Sequence, residues 1–527
     1  MPDKRFTIMA LLLAAMATAG VEAPADVKPA DIFGDFMVLQ RDVAVPVWGK
    51  ADPGEKVTVE FAGQTKSAVA GKNGEWMVRL DPMKASAEGR AMSIKGKNAV
   101  EFKDVLVGEV WICSGQSNMQ FGVNAVKDLK KLVPEAAKRP IRTYDVPCHI
   151  AKKPEGRLCG RWSARPPSSA VAFGFAYFLQ KKIDVPIGII LTCWGSSSIE
   201  GWMPIEMTDT LPHFKKMMEK EAADPNIQKA IDLVIEQFEK HGRVKPQYSD
   251  DSEEDKKLKE ILGKKCGHYR RDANIFARTR PNLLYNAMLH GAIPYAVRGE
   301  VWYQGEANTR SYEAEKRYAT SLKTWTKKLR ELWKNDDFKM LVVMLPGFRK
   351  MLPKSPEKKD LNYPGNVTWA YMRESQMKVS ELPGAYVVNT ADLGEARNIH
   401  PKDKKPVCER LAALAAGKVY GKEGLCLGPV FDGFKVENGG MIVKFKNADG
   451  LKTTDGQPPK GFWLTDERHE KWYPAKAEIK GDTVLLSSDK VPEPAACRYA
   501  FAAKPEVNLV NADGFPAYPF RTDDWTP

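Results

Sequence analysis

The sequence predicts an α/β protein in which a parallel sheet is flanked, towards both ends of the chain, by β-sandwich-like regions. Three observations predict it. Residues 30–107 are short β-type runs separated by turns such as Asp52-Pro-Gly54 and Asn73-Gly74, a spacing typical of sandwiches. From Val107 onward, near-continuous apolar runs alternate with helical stretches, as in a parallel sheet covered on both faces. After Leu427 the β pattern returns and continues to the C-terminus. The expected divisions are 24–106, 107–425 and 426–527.

Composition sets the outer limits. The chain has 527 residues, 43% hydrophobic and 28% charged, with 80 basic against 67 acidic side chains and a net charge of +13. These values exclude a disordered, collagenous or polytopic membrane protein. A basic surface attracts anions without choosing among them, and no clustered basic arm or RNA-binding signature points to nucleic acid.

Taken in order, Lys4 and Arg5 precede an apolar run from Phe6 to Ala17 and then small residues up to Ala23. A positive start, a short apolar stretch and A-x-A-like ends predict a signal peptide over 1–23, and so a periplasmic or extracellular protein. No later segment is long and apolar enough to span a bilayer. In the first flank, residues 43–48, 57–61 and 76–80 read as strands. In the central region the runs 109–113, 187–193, 297–303, 340–345 and 385–389 are the sheet, and the stretch from Tyr312 to Trp333 has helical spacing. Residues 207–280 are rich in lysine and glutamate and read as a solvated helical insertion. Segments 441–445, 461–464 and 482–486 are the strands of the second flank. Among the eight cysteines there is no C-x-x-C pair, which argues against a zinc site. Cys148 and Cys159 flank a Pro/Gly-containing loop as a candidate disulfide in an oxidising compartment.

The stretch that carries chemistry is Ser114-Gly-Gln-Ser-Asn-Met119, directly after an apolar strand. A serine on a tight turn between strand and helix exposes its hydroxyl beside unpaired backbone N–H groups, which suits a nucleophile and a developing oxyanion. The same position also suits a helix cap. The block resembles the nucleophile block of the sialate O-acetylesterase family, within the SGNH hydrolase superfamily. Three further blocks are similar and occur in the family's order: Trp194-Gly-Ser-Ser-Ser-Ile-Glu-Gly-Trp202, Trp302-Tyr-Gln-Gly-Glu-Ala-Asn308, and Asp392-Leu-Gly394 with Ile399-His-Pro401. The likeness runs from about Asp31 to Trp525, interrupted by the lysine-rich insertion.

The resemblance implies an SGNH-type catalytic domain and a serine esterase that uses no metal or organic cofactor. It implies Ser117 as nucleophile, His400 as base, and an oxyanion hole from the N–H groups of Ser117 and Gly195 with the Gln304 amide. Glu306, Arg373 and Asn118 become candidate substrate contacts. Many SGNH enzymes carry Asp three residues before the histidine, where this chain has Arg397. Asp392 either orients His400 or is a turn residue that leaves a Ser–His dyad. The implied substrate is an O-acetylated glycan, with O-acetyl sialic acid first and acetylxylan or another hemicellulose ester as the alternative. A catalytically silent carbohydrate-binding protein is the reading from a different class. With His400 as base, kcat/KM is expected to fall as pH drops through about 6.5.

Overall fold

The computed structural model describes residues 26–240, 253–263, 273–349, 360–365, 367, 369–424 and 426–526. The expected signal peptide lies outside these residues.

Seven strands form the central part of the fold: β1 (Ala99–Gly115), β2 (Ile141–Asp145), β3 (Arg161–Ser163), β4 (Ile187–Cys193), β5 (Gly299–Tyr303), β6 (Lys339–Val343) and β7 (Ala385–Val388). Their order is β3-β2-β4-β1-β5-β6-β7. All neighbours pair in parallel except the antiparallel edge strand β3. The runs expected as strands are there, and β4 and β5 are buried at every position, as strands covered on both faces must be. Parallel strands require crossovers, and four helices are central to them: α1 (Ala170–Ile183), α2 (Tyr312–Trp333), α3 (Ala370–Met377) and α4 (Lys405–Lys418). The α1 and α2 N-termini are capped by Ser169 and Ser311, whose hydroxyls accept from Ala172 and Ala314 N–H. Helix α1 lies against α4 at Gly174, where a Cβ would stand 2.4 Å from Cys408 Sγ.

The flank expected to end at residue 106 is not separated from the sheet at that point. β1 is one 17-residue strand. Its first half pairs antiparallel with Ser86–Lys95, and its second half pairs in parallel with β4 and β5. Glu109 reinforces the junction: it is fully buried and accepts from Gln40 Nε2 at 2.9 Å, Arg41 Nε at 2.5 Å and Arg298 Nε at 3.0 Å. The C-terminal strands have their own core around Met441, Phe445, Leu464, Tyr499 and Phe520. They are stitched to the end of β7, where Tyr518 Oη donates to Val387 O at 2.5 Å and Asn389 Nδ2 donates to Ala517 O at 2.8 Å.

The insertion is helical where it is described, over Pro212–Ala223, Pro225–Lys240, Glu253–Leu262 and Ala273–Arg278. It is more than a solvated arm. Ile231, Val234 and Phe238 are buried on one face, and Phe238 meets Trp194 edge-to-face with ring centroids 5.6 Å apart. Among the described residues, no helix is long and apolar enough to cross a membrane. Cys148 and Cys159 are not joined to each other. Cys148 Sγ instead donates to Cys193 O at 3.6 Å.

Candidate active site

The carboxyl ends of β1, β4 and β5 meet at Ser117. At the end of β1 the chain turns through Gly115, whose φ of +131° is reached easily only by glycine. A Cβ there would lie 2.2 Å from Tyr303 O at the end of β5, so the turn fits only without a side chain. Gln116 N–H donates to Tyr303 O at 3.1 Å, and Ser117 opens the short helix Ser117–Gln120. The Ser117 N–H is thus among the first donors of a helix, which have no partner within it. The loop after β4 brings Gly195 alongside, where a Cβ would sit 3.1 Å from Ser117 Cβ.

His400 follows β7 on a loop that Glu395 braces. Glu395 accepts from Asn398 Nδ2 at 3.1 Å and Lys402 N–H at 3.0 Å, and Asn398 Oδ1 accepts from His400 N–H at 3.1 Å. The imidazole is half-buried and stacks on Phe121, with centroids 6.2 Å apart and planes 25° apart. Asn118 joins the two loops: next to Ser117 in sequence, it donates from Nδ2 to Ile399 O, next to His400, at 3.0 Å. The structure therefore brings Ser117, Gly195 and His400 to one sheet edge, where an open α/β sheet holds its ligands.

Residues 272–414 match the family of carbohydrate esterases described as sialic acid-specific acetylesterases. Nearly the whole chain also aligns with curated relatives. It is 26% identical to the sialate O-acetylesterase of Mus musculus, covering 96% of this chain and 94% of that protein. It is 25% identical to the sialate O-acetylesterase of Homo sapiens, covering 94% and 91%. A crystal structure of a carbohydrate acetylesterase from Xanthomonas citri superposes with a TM-score of 0.76 at 28% identity, covering 95% of this chain and all of that one. Over nearly its whole length the chain is therefore similar to sialate O-acetylesterases. It is a carboxylic ester hydrolase.

Other residues singled out by their place in the family-like blocks stand differently from expectation in this chain. Gln304 is fully buried. Its Nε2 lies within hydrogen-bond reach of Ser197 O at 3.0 Å, Asn308 Oδ1 at 2.9 Å and Gln116 Oε1 at 3.2 Å, and its Oε1 accepts from Tyr318 Oη at 2.7 Å. Two amide hydrogens facing three acceptors leave none for a substrate oxyanion, so Gln304 here fastens the loops after β1, β4 and β5 together. Asp392 holds Arg410 in a bidentate pair at 2.8 and 2.7 Å, which engages both carboxylate oxygens on α4 rather than on His400. Arg373 is fully buried and donates to the carbonyls of Leu345, Ala502 and Ala503 at 3.0, 2.8 and 2.9 Å. It is therefore closed to substrate. Asn118 is fully buried and Glu306 is 8% exposed, with Asn118 Nδ2 donating to Glu306 Oε1 at 2.5 Å. Both brace the site from beneath.

Sequence reasoning passed over two residues. Gln120 Oε1 accepts the Gly195 N–H at 2.9 Å, occupying the expected oxyanion donor. Lys404 is fully buried and donates from Nζ to Asn118 Oδ1 at 2.6 Å. The lysine run around position 404 looks like surface, so only the pairing with Asn118 reveals it.

Electrostatically, burial and then the Lys404 charge hold His400 below the ordinary histidine range, which favours the neutral imidazole. Burial lowers Lys404 to about 8 against the opposing pull of Glu306. Beside the end of β1, Glu300 is buried, accepts the Ser114 hydroxyl and is raised to about 7, chiefly by burial. A carboxyl whose folded pKa lies above its unfolded value stabilises fully below about pH 4.5, and loses that stability as pH rises through about 7. Glu300→Gln, neutral at every pH, is expected to remove about 3 kcal/mol of that decline. Denaturant midpoints of both proteins between pH 4.5 and 8 measure the difference. Parallel curves would show that Glu300 does not titrate in this window.

Proposed function

We propose that this enzyme hydrolyses O-acetyl esters on glycans, O-acetyl sialic acid first among them, through an acetyl-enzyme intermediate on Ser117. The observation that carries the mechanism is the glycine-lined turn at Ser117, tied to the His400 loop through Asn118. His400 removes the Ser117 hydroxyl proton as Oγ attacks the acetyl carbonyl, then returns it to the departing sugar oxygen. Water, deprotonated by the same histidine, releases acetate and restores the serine. The oxyanion faces the Ser117 N–H, and the Gly195 N–H joins it once the exposed Gln120 side chain swings away. With Asp392 held by Arg410, the catalytic pair is a Ser–His dyad. Its acidic limb in kcat/KM lies below about pH 6.5, because the site depresses His400.

In this proposal residues 107–425 are the SGNH-type catalytic unit, which shares strand β1 with the accessory β region 24–106, residues 426–527 are a second accessory β region, and residues 1–23 direct export to the periplasm or the extracellular space. The names of the curated relatives support sialate as the substrate. The test is acetate release from an acetylated sialoglycoprotein beside acetylated xylan, each at matched acetyl content. Faster release from the sialoglycoprotein supports the proposed sugar. Preference for xylan moves the enzyme to hemicellulose, and no release from either polymer or from an aryl acetate would leave a carbohydrate-binding protein.

A further inference from the structure

We infer that Lys404 is a positioning residue for hydrolysis: its buried ammonium grips Asn118 and, through Asn118 and Phe121, holds the nucleophile turn and the histidine loop in one geometry. This inference rests on the assignment of Ser117 and His400 as nucleophile and base.

Lys404 immediately precedes α4 and is fully buried. Burying an ammonium is costly unless its donors are used. One donor is given to Asn118 Oδ1 at 2.6 Å. The charge also stands 5.4 Å from the Tyr303 ring centroid and 5.5 Å from that of Phe121, within cation–π range. Every group in this shell touches the reaction geometry. Asn118 follows Ser117 and holds Ile399 O, Phe121 stacks on His400, and Tyr303 O anchors the Gly115 turn. Glu306, at the far side of Asn118, fixes the amide orientation by accepting from Nδ2 at 2.5 Å. Asn118 thus has its oxygen turned to the cation and its amino group turned to a carboxylate and a carbonyl, and the flipped amide would face both partners with the wrong polarity.

The cation also acts through space on His400 and opposes its protonation. The other charged or titratable groups facing Lys404 are Glu306, Glu395, Asp403 and Cys408. Of these, the first three carry or share negative charge that holds the lysine protonated. Removing the lysine charge therefore raises the pH at which the histidine becomes a base.

The experiment compares wild type with Lys404→Met, Lys404→Gln and Asn118→Ala on an aryl acetate across pH 5–9, with the folded fraction of each followed by thermal melting. Lys404→Met should lower kcat/KM on the order of 100-fold, carried by kcat with KM nearly constant, as expected when reacting groups shift by about 1 Å. Its acidic limb should move to higher pH. Lys404→Gln keeps a donor for Asn118 without the charge, so it should recover part of kcat while the limb stays displaced. Asn118→Ala keeps the charge, so kcat should fall with the limb in place. Unchanged kcat in Lys404→Met and Lys404→Gln, or losses that follow only the unfolded fraction with an unmoved limb, would overturn the inference. Activity that survives in Ser117→Ala would instead refute the nucleophile assignment beneath it.

Discussion

Replacing Ser117 by alanine is expected to lower kcat on acetyl esters by about 10⁵-fold or more, as loss of a serine nucleophile does when no other group can form the acyl intermediate. The turn itself should survive. Its shape comes from Gly115, from Gln116 N–H on Tyr303 O and from the absence of a side chain at Gly195, none of which uses the Ser117 hydroxyl. The neighbouring serine cannot substitute. Ser114 is fully buried and its hydroxyl is committed to Glu300. Acetate release by Ser117→Ala, measured beside its thermal melting curve, checks both parts. A folded variant that keeps activity within tenfold of wild type would place the nucleophile elsewhere.

Arg373→Ala is expected to destabilise the protein by about 3–5 kcal/mol, the range for breaking a buried charged network. The guanidinium bonds to carbonyls from two directions: Leu345 O just beyond β6, and Ala502 O and Ala503 O in the C-terminal region. Its removal leaves these acceptors without that donor and deprives Glu315, 5% exposed, of the positive charge that opposes its burial. Burial holds Arg373 itself down to about 10, so it remains a cation at neutral pH. Lysine at this position offers a compact ammonium in place of a planar five-donor fork, and Arg373→Lys should recover less than half of the loss. The C-terminal strands have their own core, so the weakened junction should also show as earlier proteolysis on their side of it. Denaturation midpoints and limited proteolysis of the three proteins provide the check. A loss below 1 kcal/mol in Arg373→Ala would show that the junction does not depend on this side chain.

The pattern of strands and helices was legible because it follows from local periodicity. Apolar runs without alternation produce β4 and β5, and helical spacing of apolar residues produces α2. The turn at Ser117 was legible for a related reason. Its glycine and serine are adjacent in sequence, and the strand before them sets where they emerge. The division of the chain was less so. An expected boundary at residue 106 falls inside β1, because a strand can serve two sets of neighbours without any change in its own composition.

The site residues divide the same way. Ser117, Gly195 and His400 could be placed at one sheet edge from the sequence, since each follows a strand and parallel strands deliver their carboxyl ends to one side. The roles of Asp392, Arg373, Gln304 and Glu306 could not, because a polar side chain's role depends on which partner reaches it first. Asp392 meets Arg410 from a helix 18 residues away, Arg373 meets carbonyls more than 120 residues away, and Lys404 in a lysine-rich run turns inward to Asn118, 286 positions earlier. Backbone periodicity is a short-range property and is written in neighbouring residues. The pairing of a buried charge is a long-range one, decided only when packing has removed water and left a single partner within reach.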